Sequence, residues 1–265
     1  MKKAMTRALV AAAAIACSSA HAGDIFLTGH DVDFHANQNG FDRVILDYLR
    51  GGVAASAYRV GIVTGSVSFA PSFASGYASR VVRDITSFAD AAAFSSFLSS
   101  VDVMVIASAE SCGGCVFSTA DVTRLNSFRP AVTTFFNAGG DIFGQTGADD
   151  PNYYGFLPPS AVATGAPISA SSGFTATAAG TAIGITSAMI NGFQTHNRFV
   201  SSDAAFTVME TRGAEIISIA LKDGRIDDGG VIIVNPVPGI PEPETYALML
   251  AGLGLVGCMA RRRKA

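Results

Sequence analysis

Residues 101–107 read Val-Asp-Val-Met-Val-Ile-Ala, a nearly unbroken apolar run. A strand can carry such a run only if both of its faces are covered, so this stretch demands layers above and below it. Neighbouring segments supply those layers. Residues 24–28 and 59–64 form apolar strands and 81–85 a third, while 41–50 carries Phe41, Val44, Ile45, Tyr48 and Leu49 at helical spacing before Gly51-Gly52. Ser87 and Asp90, three residues apart, cap a helix whose apolar face is Phe94, Phe97 and Leu98. Ser118 and Asp121 open a further helix around Val122 and Leu125. Pro130 starts or kinks its continuation through Val132, Phe135 and Phe136, and Gly139-Gly140 leads into a strand at 141–144. Strand and helix alternating at these spacings predict a three-layer α/β fold: a mostly parallel sheet with helices on both faces, joined by right-handed crossovers.

From 158 to 188 the composition shifts to Ala, Ser, Thr and Gly with almost no charge, which predicts long loops or irregular strands rather than a second domain. Order returns in strands at 206–210, 215–221 and 231–234. The last two are expected to be joined by a turn through Lys222-Asp223-Gly224 and Asp227-Asp228-Gly229-Gly230. Residues 236–241 form a stiff, proline-bearing linker.

Both ends carry address signals. Lys2, Lys3 and Arg7, an apolar centre at 8–17 and Ala20-His21-Ala22 make a secretory signal helix cut before Gly23. A lipoprotein signal would modify Cys17, but Ala14-Ile15-Ala16 lacks the leucine that such sites usually carry. At the other end Pro241-Glu242-Pro243-Glu244 precedes fifteen apolar residues, 246–260, and then Arg261, Arg262, Arg263 and Lys264. As a helix that run is about 22 Å long, shorter than the ~30 Å hydrocarbon core, so it spans only with help from its flanks. The four cations act as a stop-transfer signal and stay cytoplasmic.

These last residues resemble the tripartite PEP-CTERM sorting tail of Gram-negative bacteria, which a membrane protease of the exosortase type recognises and processes. The resemblance implies that Pro241, Glu242 and Pro243 are the sorting motif, that the C-terminal helix holds the chain in the inner membrane as a transient intermediate, and that the body goes to the cell surface or into an exopolysaccharide matrix. An ordinary C-terminal membrane anchor is the alternative, although it has no need of Pro-Glu-Pro.

The chain therefore divides into a signal peptide at 1–22, one α/β domain at 23–235 and a linker with the sorting tail at 236–265. Of 18 Lys+Arg and 21 Asp+Glu, the ends take seven basic residues and two glutamates, which leaves 11 against 19 in the body. That balance of −8 repels phosphate backbones and anionic lipid, so nucleic acid is excluded as a partner.

Within the body, Phe135-Phe136-Asn137-Ala138-Gly139-Gly140-Asp141-Ile142-Phe143-Gly144 resembles the helix, Gly-Gly turn, strand and glycine of class I glutamine amidotransferase-like domains, which are related to flavodoxin-like sheets. In that family a cysteine nucleophile follows shortly afterwards. Gln145, Thr146 and Gly147 stand there instead, so the thiolate that would form the covalent intermediate is missing.

Four places remain for chemistry. His30-Asp31-Val32-Asp33-Phe34-His35 follows the first strand, and an extended backbone there would set Asp31, Asp33 and His35 on one side, a set suited to a divalent metal. A hydrogen-bonded loop and helix cap would use the same residue types. Cys112-Gly113-Gly114-Cys115 reads as a local disulfide in an oxidising compartment, with a redox or metal role as the other use. Thr146 could replace the thiol, with His196 as base and Glu110 or Asp149 as orienter, whereas 149–152 also suits a plain turn. His196, in Thr195-His196-Asn197-Arg198, completes a ligand set if it approaches Asp31, Asp33 and His35. Two functions fit: a non-catalytic surface protein whose domain binds a ligand such as a glycan, or an exported metal-dependent hydrolase of envelope or matrix carbohydrate or peptide.

Overall fold

The apolar runs become the buried strands. In the computed structural model, which describes residues 23–34, 39–65, 73–109, 116–147, 150–157, 162–164, 167–227 and 230–234, β1 (Gly23–Thr28), β4 (Val103–Ile106) and β5 (Asp141–Gly144) are buried throughout. β2 (Arg59–Thr64) is buried after its first residue, and β3 (Ser79–Asp84) is half-buried at the sheet edge. Alternate side chains pass to opposite faces, as a pleated strand requires. Ile25, Leu27, Met104, Ile106 and Ile142 enter one core; Phe26, Val60, Ile62, Val103, Val105 and Phe143 enter the other.

Helices cover both cores. α1 (Phe41–Leu49) lays Phe41, Ile45, Leu46 and Leu49 on the second core and ends where Gly51 (φ 55°) and Gly52 (φ 95°) adopt the left-handed conformation open to glycine. α2 (Ala91–Leu98), α3 (Thr119–Ser127) and α4 (Arg129–Asn137) cover the first. Asp90 caps α2 alone, accepting the Ala93 N–H at 2.9 Å; the Ser87 hydroxyl turns back to the Asp84 carbonyl, so the Ser87–Asp90 box does not form. The Ser118–Asp121 box on α3 does form, and Pro130 sits in the first turn of α4, where a missing N–H costs nothing. Phe94 stacks on Phe128 at 4.9 Å and meets Phe88 edge-on at 5.0 Å. Each such pair adds about 0.5–1.5 kcal/mol beyond its buried area and locks α2 against the α3–α4 junction.

Sheet order is β3-β2-β4-β5-β1-β10-β8-β6, with β9 and β11 also paired to β10 and β7 to β9. The additional strands are β6 (Val162–Thr164), β7 (Thr175–Ala176), β8 (Phe199–Ser202), β9 (Thr207–Arg212), β10 (Glu215–Ile226) and β11 (Ile232–Val234). From β3 to β1 all pairings are parallel; every pairing beyond β1 is antiparallel. The sheet is thus mixed rather than mostly parallel. The reason is that the last part of the chain returns by hairpins, as between β9 and β10, and a hairpin can make only antiparallel neighbours. α5 (Ala178–Ala182) and α6 (Ser187–Ile190), both short, lie in and just beyond the uncharged stretch.

β10 runs through Lys222-Asp223-Gly224, where a turn was expected. Asp223 adopts φ 52° and donates its N–H to Asp24, so the irregularity is absorbed as a register shift and the chain turns only at 227–230. β8 had no separate signal in the sequence.

The order also places β1 between β5 and β10, whereas flavodoxin-like sheets set the first strand beside the second in the order 2-1-3-4-5. The α1 crossover travels from β1 toward the β3 edge on one face, and the α2 and α3–α4 crossovers travel back on the other, as a single handedness requires. At the β1–β5 boundary the outgoing chains therefore leave to opposite faces: α1 after β1, and the short Tyr153–Phe156 turn after β5.

The chain divides into units 1–234 and 235–265, and all described residues belong to the first. The expected signal helix and C-terminal helix lie outside the described residues. Among the described residues no helix is long and apolar enough to cross a membrane.

Candidate functional site

Open parallel sheets bind ligands beyond the carboxyl ends of their strands, where adjacent connections diverge. Here that position falls between β1 and β5, and polar side chains collect there. The Thr146 N–H donates to the His30 carbonyl at 3.1 Å, and the Ala109 N–H donates to the Thr146 carbonyl at 3.0 Å, so the ends of β1, β4 and β5 are stitched together. Gly29 permits the fourth contributor. A Cβ there would lie 1.9 Å from the Asn197 carbonyl oxygen, and without one the His196 and Asn197 N–H groups both reach the Gly29 carbonyl at 3.2 Å.

The two aspartates play different parts. Residues 31–34 form a turn, with the Phe34 N–H on the Asp31 carbonyl at 3.1 Å, so the extended backbone expected here is absent and Asp31 and Asp33 do not share one side. Asp33 faces inward. Its Oδ1 accepts the Ser108 hydroxyl at 2.5 Å, its Oδ2 accepts the Ser108 N–H at 3.1 Å, and its own N–H donates to Gln145 Oε1 at 2.6 Å. Burial pushes its carboxyl up to about 6 against the pull of the Ser108 bonds, with the nearby Asp31 charge adding to the rise. Asp33 is a tie between loops.

Asp31 faces His196 instead. His196 Nε2 lies 3.6 Å from Asp31 Oδ2, close enough for ion pairing and too long for a hydrogen bond. The His196 side chain is 18% exposed and Asp31 is 1% exposed, so the imidazole stands between the carboxylate and the surface. Nε2 is enclosed and has no hydrogen-bond partner among the described residues. Behind it, both side-chain polar atoms of the fully buried Asn197 lack a protein partner. Phe34, on the turn that carries Asp31, is 46% exposed.

The sequence-predicted residues thus part company. Asp31 and His196 are brought together, Asp33 is held apart by Ser108, and His35, Glu110, Asp149 and the Cys112/Cys115 pair lie outside the described residues. Among the described residues no group of three or more His, Cys, Asp or Glu is arranged to hold a metal ion. Thr146 is fully buried, and the imidazole proposed as its base is turned to Asp31.

The Pro-Glu-Pro, apolar and basic segments occur in that order at the extreme C-terminus. Residues 239–264 match the PEP-CTERM protein-sorting motif. A PEP-CTERM tail implies an exported protein that an exosortase sorts to the cell surface. No significant match was found among curated proteins or among solved structures.

Upstream of the PEP-CTERM tail, one network went unseen in the sequence. His30 Nε2 meets Glu210 Oε1 at 2.7 Å and its Nδ1 meets the Thr195 hydroxyl at 2.7 Å; Glu210 Oε2 accepts the Ser218 hydroxyl at 2.8 Å, and Ser218 reaches Thr28 at 2.8 Å. All five are buried, between Phe41 and Phe174 on the imidazole side. The Thr195–His30–Glu210 line imitates a nucleophile–base–acid triad, but no substrate reaches it, and it serves to seat the 195–197 loop that carries His196. Glu210 inside an apolar strand and Ser218 inside another were the available signals.

Proposed function

We propose that this protein is exosortase cargo whose body is a non-catalytic binding domain for a neutral saccharide at the cell surface or in the surrounding matrix. The observation that carries the reading is the Asp31–His196 pair at the carboxyl edge of β1, with the imidazole part-exposed and Phe34 exposed on the turn that carries Asp31. The part-exposed His196 imidazole, with the Asp31 carboxylate beside it, offers a donor or acceptor to a hydroxyl group, and the exposed Phe34 ring offers a face to sugar C–H groups. The cluster contains no lysine or arginine to pair a phosphate or a uronate, and the body is acidic. The tail holds the chain at the inner membrane until exosortase processing, and the sorting residues are Pro241, Glu242 and Pro243. The amidotransferase-like reading of the body rests on residues 135–144; the missing cysteine and the position of β1 argue against carrying that activity over.

Affinity electrophoresis tests this. Migration of the exported chain should be retarded in gels containing neutral dextran or galactomannan and unaffected by alginate. Retardation should be lost in His196→Ala. No retardation by any neutral polysaccharide, with His196→Ala behaving as the parent, refutes the reading.

A second reading keeps the hydrolase. A part-exposed imidazole 3.6 Å from a buried carboxylate has the residue types of a general base and its orienting acid, and closing that gap to hydrogen-bond distance would complete the pair. Hydrolysis of a matrix polysaccharide that is abolished by His196→Ala and dependent on added zinc, calcium or magnesium would establish it over simple binding.

A further inference from the structure

The opposite edge of the sheet holds a second polar cluster that the saccharide reading does not use. Asp24 on β1 and Asp141 on β5 are both nearly buried, and the Asp24 N–H donates to Asp141 Oδ1 at 2.9 Å. Tyr58, which leads into β2, donates its hydroxyl to Asp141 Oδ2 at 2.5 Å. From β10, Lys222 pairs with Asp24 Oδ2 and also donates to the Tyr48 carbonyl of α1 at 2.8 Å, its ammonium 4.3 Å from the Tyr48 ring centre. Asp223 donates its N–H to Asp24 Oδ1 at 2.8 Å and adds a third carboxylate. The nearby Arg59 and Asp102 neutralise one another. Among the described residues Lys222 is the cation that pairs with this group of three carboxyls. Burial raises the carboxyl of Asp24 above its usual range and that of Asp141 to about 7, against the opposing bonds from Lys222 and Tyr58.

Gly23 begins β1, next in the chain to Asp24 and opposite Gly224 of β10. It is buried, it pairs with Gly224, and a Cβ on it would lie 2.2 Å from the Gly140 carbonyl oxygen, so only glycine fits as the first residue of the strand. It is also the residue that the sequence places directly after the leader cleavage site.

We propose that leader removal completes this cluster: the α-ammonium created at Gly23 is its second cation, and cleavage itself stabilises the folded body. The proposal rests on the leader reading of residues 1–22. Before cleavage that nitrogen is a neutral amide, and among the described residues Lys222 supplies the positive charge at Asp24 and Asp141. After cleavage a charge appears one residue from Asp24, inside the sheet, where screening by water is weak.

The test uses the exported, full mature chain in detergent, with its start fixed by N-terminal sequencing. Transamination with glyoxylate in the unfolded state converts the α-amine to a carbonyl without adding bulk, and the refolded chain is compared with an untreated refolded control by circular dichroism melting. At pH 7 the amine-free chain should melt lower by about 3 °C or more. The offset should shrink as pH falls below 7, where Asp141 takes up its proton, and vanish near pH 10, where the amine has lost its charge. It should also shrink in Asp141→Asn. Equal melting at pH 7, or an offset unchanged from pH 4 to 10, overturns the proposal while leaving the leader reading intact. A mature chain that starts elsewhere overturns both.

Discussion

Ser108→Ala removes one hydroxyl and tests whether Asp33 is a tie rather than a ligand. Ser108 is fully buried, and its hydroxyl donates to Asp33 Oδ1 at 2.5 Å while its N–H, which alanine retains, donates to Oδ2. The substitution deletes one hydrogen bond to a charged group and leaves the carboxylate oxygen enclosed, a loss of about 2 kcal/mol while Asp33 is ionised. Asp33 titrates at about 6 when folded against 3.8 as a free side chain. Between those values the folded chain holds the extra proton, so the Asp33 penalty is present above pH 6 and is relieved as pH falls toward 4. The cost of Ser108→Ala should therefore be near its full value at pH 8 and about half of it at pH 5, where a protonated carboxyl no longer needs the donor. Urea unfolding followed by far-ultraviolet circular dichroism reads both values. A loss below about 0.5 kcal/mol at pH 8, or the same loss at both pH values, would refute the assignment.

Three further outcomes follow from the geometry. Glu210→Ala leaves His30 buried without its carboxylate and should cost about 3–5 kcal/mol in urea unfolding; a loss under 1 kcal/mol would show that Thr195 alone suffices for the imidazole. Because the folded carboxyl of Asp141 sits at about 7, above its free value of 3.8, it should contribute about 2 kcal/mol to the stability gained on moving from pH 8 to pH 5.5, and Asp141→Asn should remove that share of the slope. Gly29→Ala drives a methyl group into the Asn197 carbonyl and should destabilise by about 1–3 kcal/mol, with loss of saccharide retardation as the 195–197 loop is pushed off β1.

The α/β half was legible because its signals are local. The apolar run at 101–107 contains β4, Asp90 caps the helix it precedes, and Ser118 with Asp121 forms a box within four residues. The antiparallel half was less so. Lys222-Asp223-Gly224 has the composition of a turn, yet Asp24, almost 200 residues away, captures the Asp223 N–H and keeps the strand running. The candidate site divides in the same way. Asp31 and His196 stood out by residue type, and their approach depends on Gly29, whose lack of a side chain matters only once Asn197 lies against it. Ser108 and Gln145 carry no pattern of their own; they became visible as the groups that restrain Asp33.

β10 is paired to β1, β8, β9 and β11, and it joins the first strand of the body to the last part of the chain, as the contact of Thr28 with Ser218 across 190 positions shows. For an exported protein this arrangement sets a timetable. β1 leaves the translocation channel first, but β5 and β10, the two strands that flank it, arrive after about half and then nearly all of the body has crossed. Contacts of such long range close slowly, so the chain crosses as an open polymer and the central sheet seals only when little more than the sorting tail remains behind. For a chain exported with a PEP-CTERM tail, the sheet of the body thus closes only as that tail follows it.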